Sequence, residues 1–265
     1  MNQRIERVRA AMQAQGLTQM IVSDPKSVWY LTGVEVEPYE RLLALYLPVC
    51  GEPVLFLNRL FNVPNPPCKA MWHDDVQDPV AQIAGVVDAA ATLGIDKEWP
   101  ARFLIPLMQH CPGMRVVLAS DCVDDCRACK GETEQTLMRE ASRINDEVNA
   151  AVKQYVRVGM TEKQVARFVD EQYLAHGCEG NSFTTIVSFG ANAADPHHEP
   201  DNTVLQPGQC VLVDMGCRKN RYCSDMTRTW FAGTPTEKQA AVHELVHRAN
   251  LTAEALVKPG ARLCD

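Results

Sequence analysis

Helix-patterned and strand-patterned segments take turns along the N-terminal half of this chain, and that alternation leaves few folds open. Ile5, Val8 and Met12 share one face of a helix that Gly16 ends. TQMIVSD (18–24) then reads as a strand and PKSVWYLTG (25–33) as a loop. The most apolar stretch, LLALYLPVCGEPVLFL (42–57), is interrupted by Pro48, Gly51, Glu52 and Pro53, so it reads as two strands around a turn and not as a membrane span. VAQIAGVVDAAATLG (80–94) predicts a helix, IDKEW (95–99) a strand, ARFLIPLMQHC (101–111) a helix and MRVVLAS (114–120) a strand. The expectation is an α/β domain with a mostly parallel or mixed sheet.

The pattern changes between residues 121 and 131, giving two domains, 1–128 and 129–265. A long amphipathic helix runs from about Glu132 to Val156, and Thr161 with Gln164 forms a capping box for a second helix that Gly177 ends. SFTTIVSF (182–189) reads as a strand and GANAADPHHEPDNT (190–203) as a loop. QCVLVDMG (209–216) and RYCSDMTRTWF (221–231) read as a hairpin. Thr234 as N-cap, Pro235 at the first helical position and Glu237 at the third predict the start of the last helix.

Charge narrows the function classes. The net charge is −7 and no Lys/Arg run occurs, which argues against a nucleic-acid partner. No apolar segment is long enough for a membrane partner. The N-terminus, MNQRIERVRAAMQAQG, is charged from the start and lacks the apolar core of a secretory signal. Eleven scattered cysteines, an odd number, fit a reducing cytoplasm better than an oxidising compartment.

Three places could hold a metal. His243-Glu244-Leu245-Val246-His247 matches H-E-x-x-H, but the third ligand of such zinc sites is missing: Asn250 and Ala253 stand where the extended motif needs Gly and His. Cys122, Cys126 and Cys129 match the cluster spacing of radical enzymes that use S-adenosylmethionine. Ala128 replaces the usual aromatic and no Gly-rich segment follows, so a helix with thiols at helical spacing is the plainer reading. The third place is the hairpin. With a two-residue turn at Lys219-Asn220, Asp214 falls opposite Asp225 on one face, their Cβ atoms roughly 4.5–5.5 Å apart. Two buried carboxylates that close need a shared proton or a cation. Two solvent-facing aspartates near a turn are the alternative; the apolar flanks Val211, Leu212, Val213, Met226, Trp230 and Phe231 favour burial.

SFTTIVSFGANAADPHHEP and VLVDMGCRKNRYCSDMTRTWFAGTPTEKQ resemble the pita-bread metallopeptidases, in particular the Xaa-Pro aminopeptidase and prolidase branch. VWYLTG after the first strand resembles the creatinase-type N-terminal domain of that branch. The resemblance implies a creatinase-like α/β domain followed by a pita-bread catalytic domain. It implies that Asp214 ligates one metal, Asp225 bridges two, and His197 contacts substrate and steadies the transition state. It offers His198 as a second substrate contact and Thr227 as a partner of the ligands. The implied reaction is hydrolysis of the peptide bond before proline in a peptide substrate, by a hydroxide that two divalent ions activate, Mn(II) or Co(II), or Zn(II) in some members. A homodimer is compatible with the resemblance.

The family pattern also asks for a His in an H-G-x-G-H segment and two later Glu residues. After Asp225 the only His and Glu residues are Glu237, His243, Glu244, His247 and Glu254, all on the last helix. The expectation is a C-terminally truncated catalytic domain lacking three of five ligands, weakly active or inactive alone. The alternatives are a catalytically dead binding or dimerisation module and a creatinase-like C–N hydrolase; members of the latter kind lack the aspartates that are present in this chain.

Overall fold

The computed structural model describes residues 3–262 and 264, and the chain divides into two units, Met1–Lys130 and Gly131–Asp265. The first unit runs α1 (Gln3–Ala14), β1 (Gln19–Val22), α2 (Pro25–Thr32), β2 (Ala44–Pro48), β3 (Val54–Asn58), β4 (Lys69–His73), α3 (Pro79–Ala84), β5 (Leu93–Ile95), α4 (Ala101–His110), β6 (Val116–Leu118) and α5 (Asp121–Ala128). Its sheet has the order β4-β3-β2-β1-β5-β6. The pairs β1–β2 and β2–β3 are antiparallel and the others parallel, so the sheet is mixed.

Both faces of that sheet are covered. Leu45, Leu47, Leu55 and Leu57 join Val8, Met12 and Val123 in one core. Ala44, Tyr46 and Phe56 join Val80, Ile83 and Leu107 in another. Burial on both sides explains why β2 and β3 read as unbroken apolar runs.

Three expectations for this unit need correction. Residues 25–33 are not a loop: Asp24 accepts hydrogen bonds from the Lys26 and Ser27 amides, Pro25 occupies the first turn, and Gly33 closes α2 with φ of 75°. The helix expected over 80–94 stops at Ala84, and the strand expected at 95–99 lies at Leu93–Ile95. Gly94 hides that strand from pattern reading. A Cβ there would sit 2.8 Å from the Ala119 Cβ and 3.1 Å from Leu17 Cδ1, so packing demands a glycine inside the strand.

The second unit runs α6 (Glu132–Tyr155), α7 (Glu162–Ala175), β7 (Gly180–Asn181), β8 (Ile186–Phe189), a 3-10 turn (Gly190–Ala194), β9 (Cys210–Met215), β10 (Cys217–Lys219), β11 (Tyr222–Cys223), β12 (Met226–Phe231) and α8 (Glu237–Leu256). It holds two three-stranded sheets, β11-β10-β7 and β12-β9-β8. Val187, Val211, Val213 and Met215 pack in one core with Ile144, Val148, Val152, Val165, Val169 and Tyr173 of α6 and α7. The residues between them on β9, including Leu212 and Asp214, face the other way and are half-buried.

The capping box at Thr161 and Gln164 is present, with bonds of 2.8 and 3.2 Å. The last helix opens two residues later than expected. Thr236 is its cap, because Gln239 both reciprocates the cap bond at 2.7 Å and donates to the Gly208 carbonyl at 3.3 Å, tying the helix start to the turn before β9. None of the residues of α8 is buried.

Candidate metal centre

Asp214 is carried by β9, where alternation turns its side chain away from the core. The hairpin turn is not at Lys219-Asn220. Asn220 and Arg221 both have positive φ, 48° and 68°, and Lys219 pairs with Tyr222. This is a turn with two left-handed central residues, which favours Asn at the first of them. Asp214 therefore lies opposite Thr227, not Asp225. The shift is two residues, so the facing is preserved: Asp225 remains on the Asp214 side, one diagonal step away.

The two carboxyl groups still meet. Asp225 is exposed as a residue. Its carboxyl is nevertheless held above the usual carboxylate range, first by local desolvation, then by the charge of Asp214 and a hydrogen bond shared with it. Asp214 Oδ1 is buried and has no hydrogen-bond partner. A desolvated carboxylate oxygen without a donor, beside a second carboxyl, is a donor set that suits a divalent cation. Among the described residues, no third His, Cys, Asp or Glu offers a ligand atom within 4.8 Å of both. Thr227, directly across from Asp214, is exposed.

The histidines lie on the segment after β8. His197 is exposed, its amide bonded to Asp195 Oδ1 at 2.9 Å. His198 turns inward, with Nε2 2.7 Å from Glu162 Oε2, and its side chain is 15% exposed. Glu162, His198 and Asp201 have ligand atoms within 4.8 Å of one another, but the chemistry there is already complete. Glu162 Oε1 accepts from the Phe189 amide and Asn192 Nδ2, and Oε2 accepts from the Asp201 amide at 3.1 Å and meets His198. With both oxygens occupied, Glu162 ties down the loop that presents His197. Sequence reasoning missed this role: nothing in the local pattern of MTEKQ says that Glu162 reaches residues 189–201.

The other two places look different. Cys122 and Cys126 are buried in the apolar core with Val123 and Cys129 is exposed, so the three thiols do not share a surface. His243 and His247 are exposed on α8, ring centroids 6.4 Å apart, and His243 packs edge-on against Phe231 at 6.0 Å.

The family model for metallopeptidase family M24 matches residues 136–265, and that for the creatinase/prolidase N-terminal domain matches residues 4–129. A probable dipeptidase, PepE, of Mycobacterium bovis is 32% identical over 97% of this chain and 70% of its own length. The chain belongs to metallopeptidase family M24. It is by that resemblance a peptidase, with a creatinase-type domain ahead of the pita-bread domain, and the family implies divalent metal ions. An uncharacterized peptidase of Staphylococcus epidermidis is 28% identical over 99% of this chain and 75% of its own length, so the chain spans about three quarters of that relative. Among solved structures, a recombinant prolidase from Thermococcus sibiricus superposes with a TM-score of 0.88 at 26% identity, covering 95% of this chain and 71% of that one. Dipeptidase PepE from Mycobacterium ulcerans gives 0.82 at 32% identity, covering 90% and 66%. No helix among the described residues is long and apolar enough to cross a membrane.

Proposed function

We propose that this M24 chain is of the Xaa-Pro dipeptidase or aminopeptidase type, hydrolysing the peptide bond before proline, with Asp214 and Asp225 holding a pair of divalent ions. The observation that carries the reading is the partnerless, buried Asp214 Oδ1 set beside Asp225. The prolidase and dipeptidase names of the similar structures support the substrate class. Asp214 and Asp225 would hold the ions, Mn(II), Co(II) or Zn(II), and the chemistry supplied there would be polarisation of a peptide carbonyl and acidification of a water. Asp214 and Asp225 fix the place of that chemistry on the open face of β9. His197 presents an imidazole to the substrate from the loop that Glu162 anchors, and Thr227 sits across the strand pair as a hydroxyl neighbour of Asp214. Residues 129–265 are the catalytic domain and 1–128 the accompanying one. The eleven scattered cysteines support a reducing cytoplasm as its compartment.

Two carboxylates alone hold divalent ions weakly, so the 265-residue chain should turn over Xaa-Pro dipeptides slowly, only with added Mn(II) or Co(II), and not at all as Asp214→Asn. Equal rates on dipeptides without proline, or turnover that survives Asp214→Asn, would sink the reading.

A further inference from the structure

Asp214 and Asp225 flank a break in their hairpin. The rung Thr227–Asp214 belongs to one three-stranded sheet and the rung Arg218–Cys223 to another. On the turn side, the Ser224 amide still reaches the Cys217 carbonyl at 2.9 Å. No strand rung joins Gly216 to Asp225. Three other main-chain carbonyls beside the break are held by donors from outside the hairpin. Met215 O accepts from Asn145 Nδ2 at 3.1 Å. Gly216 O accepts from the Ser182 amide at 2.9 Å. Ser224 O accepts from the Ser182 hydroxyl at 2.8 Å.

Ser182 therefore grips both arms at once, its amide on the arm of Asp214 and its hydroxyl on the arm of Asp225. Gly216 makes the grip possible: a Cβ there would fall 2.0 Å from the Ser224 carbonyl oxygen and 2.3 Å from the Ser182 hydroxyl. Asn145 is locked from the other side, its Oδ1 accepting from the Tyr173 hydroxyl, with both residues buried.

We propose that Ser182 is a positioning residue that sets the separation of the Asp214 and Asp225 carboxylates, replacing the missing rung, while Asn145 steadies the Asp214 arm. This rests on the reading of the two aspartates as the metal-holding pair. Without metal the carboxylates repel, and where the rung is missing the Ser182 bridge opposes their spreading. A paired-ion centre needs its ligands held to ion spacings of roughly 3.5–4 Å, so loss of the bridge acts on affinity more than on the fold.

The test is a Mn(II) titration followed by water-proton relaxation, which reads weak binding, on the 265-residue chain and its variants. Ser182→Ala should weaken Mn(II) binding by about 10–100-fold, with the urea midpoint nearly unchanged, and Ser182→Thr, which restores a hydroxyl, should recover it. Amide exchange at Ser224 should quicken in Ser182→Ala while amides of β8 and β9 stay protected. Wild-type affinity in Ser182→Ala, with binding still abolished by Asp214→Asn, overturns the proposal and spares the metal reading. Loss of affinity matched by an equal loss of stability, or not rescued by threonine, also overturns it. Equal Mn(II) binding by wild type and Asp214→Asn removes the metal reading, and the proposal with it.

Discussion

Glu162 and Asp214 are acidic residues of the same unit, one opening α7 and the other near the end of β9, and their surroundings could hardly differ more. Glu162 is fully buried, yet each of its oxygens has two partners, drawn from Phe189, Asn192, His198 and Asp201. Asp214 is only half-buried, yet one of its oxygens has no donor and its neighbour is another acid. A buried charge ringed by donors is scaffold, because removing it strands every group it satisfies. A carboxylate oxygen with no donor and a like charge alongside holds electrostatic tension that only a cation or proton relieves. Burial alone does not distinguish these cases; the donor inventory does.

The sharpest way to break this contrast is Glu162→Ala. It leaves two amides, an Asn side chain and His198 without their acceptor, so the second unit should lose about 3–5 kcal/mol in urea unfolding. Limited proteolysis should then cut first between residues 189 and 201. A loss below about 1 kcal/mol would show that Glu162 is not an anchor.

Asp225→Asn should do the opposite. The folded state holds the Asp225 carboxyl above its unfolded value, so ionisation costs folding stability. In metal-free wild type, that cost is absent below the usual carboxylate range near 4 and grows as pH rises from there through the raised folded value. The variant cannot ionise. It should unfold at a higher temperature than wild type at neutral pH and lose that advantage near pH 3, while Mn(II) binding drops by at least tenfold. An unfolding temperature that falls at neutral pH would mean the two acids do not oppose each other.

How much of this could be read from residues depends on how local the signal is. The Thr161–Gln164 box and the helix face of Ile5, Val8 and Met12 are local, and the structure has them. Helix α2 is equally local: Asp24-Pro25 and Gly33 are its start and stop signals, and they outweigh the turn-like composition of residues 25–33. Strand β5 was hidden by Gly94, whose reason is the distant side chains of Leu17 and Ala119. The hairpin register is ambiguous in the sequence because Asn can take either central position of the turn by propensity alone. The facing of the aspartates survived because an error of two residues preserves strand parity. The Glu162 anchor and the Ser182 bridge join residues 27–42 apart in sequence, and no periodicity encodes such pairs.

The smallest effect expected is at the opposite extreme of exposure. His243 stands one helical turn from His247 on α8, where nothing is buried, and its ring rests on Phe231. The helix offers two imidazoles and no third ligand, whereas Mn(II) prefers carboxylate oxygen. Mn(II) therefore separates the two places better than Zn(II) or Cu(II), which imidazole pairs bind readily. His243→Ala should shift stability by no more than about 0.5 kcal/mol, as an exposed substitution, and leave Mn(II) affinity within about twofold. Affinity lost with His243 and retained in Asp214→Asn would move the metal from the hairpin to the helix, and would leave the partnerless oxygen of Asp214 with no cation to explain it.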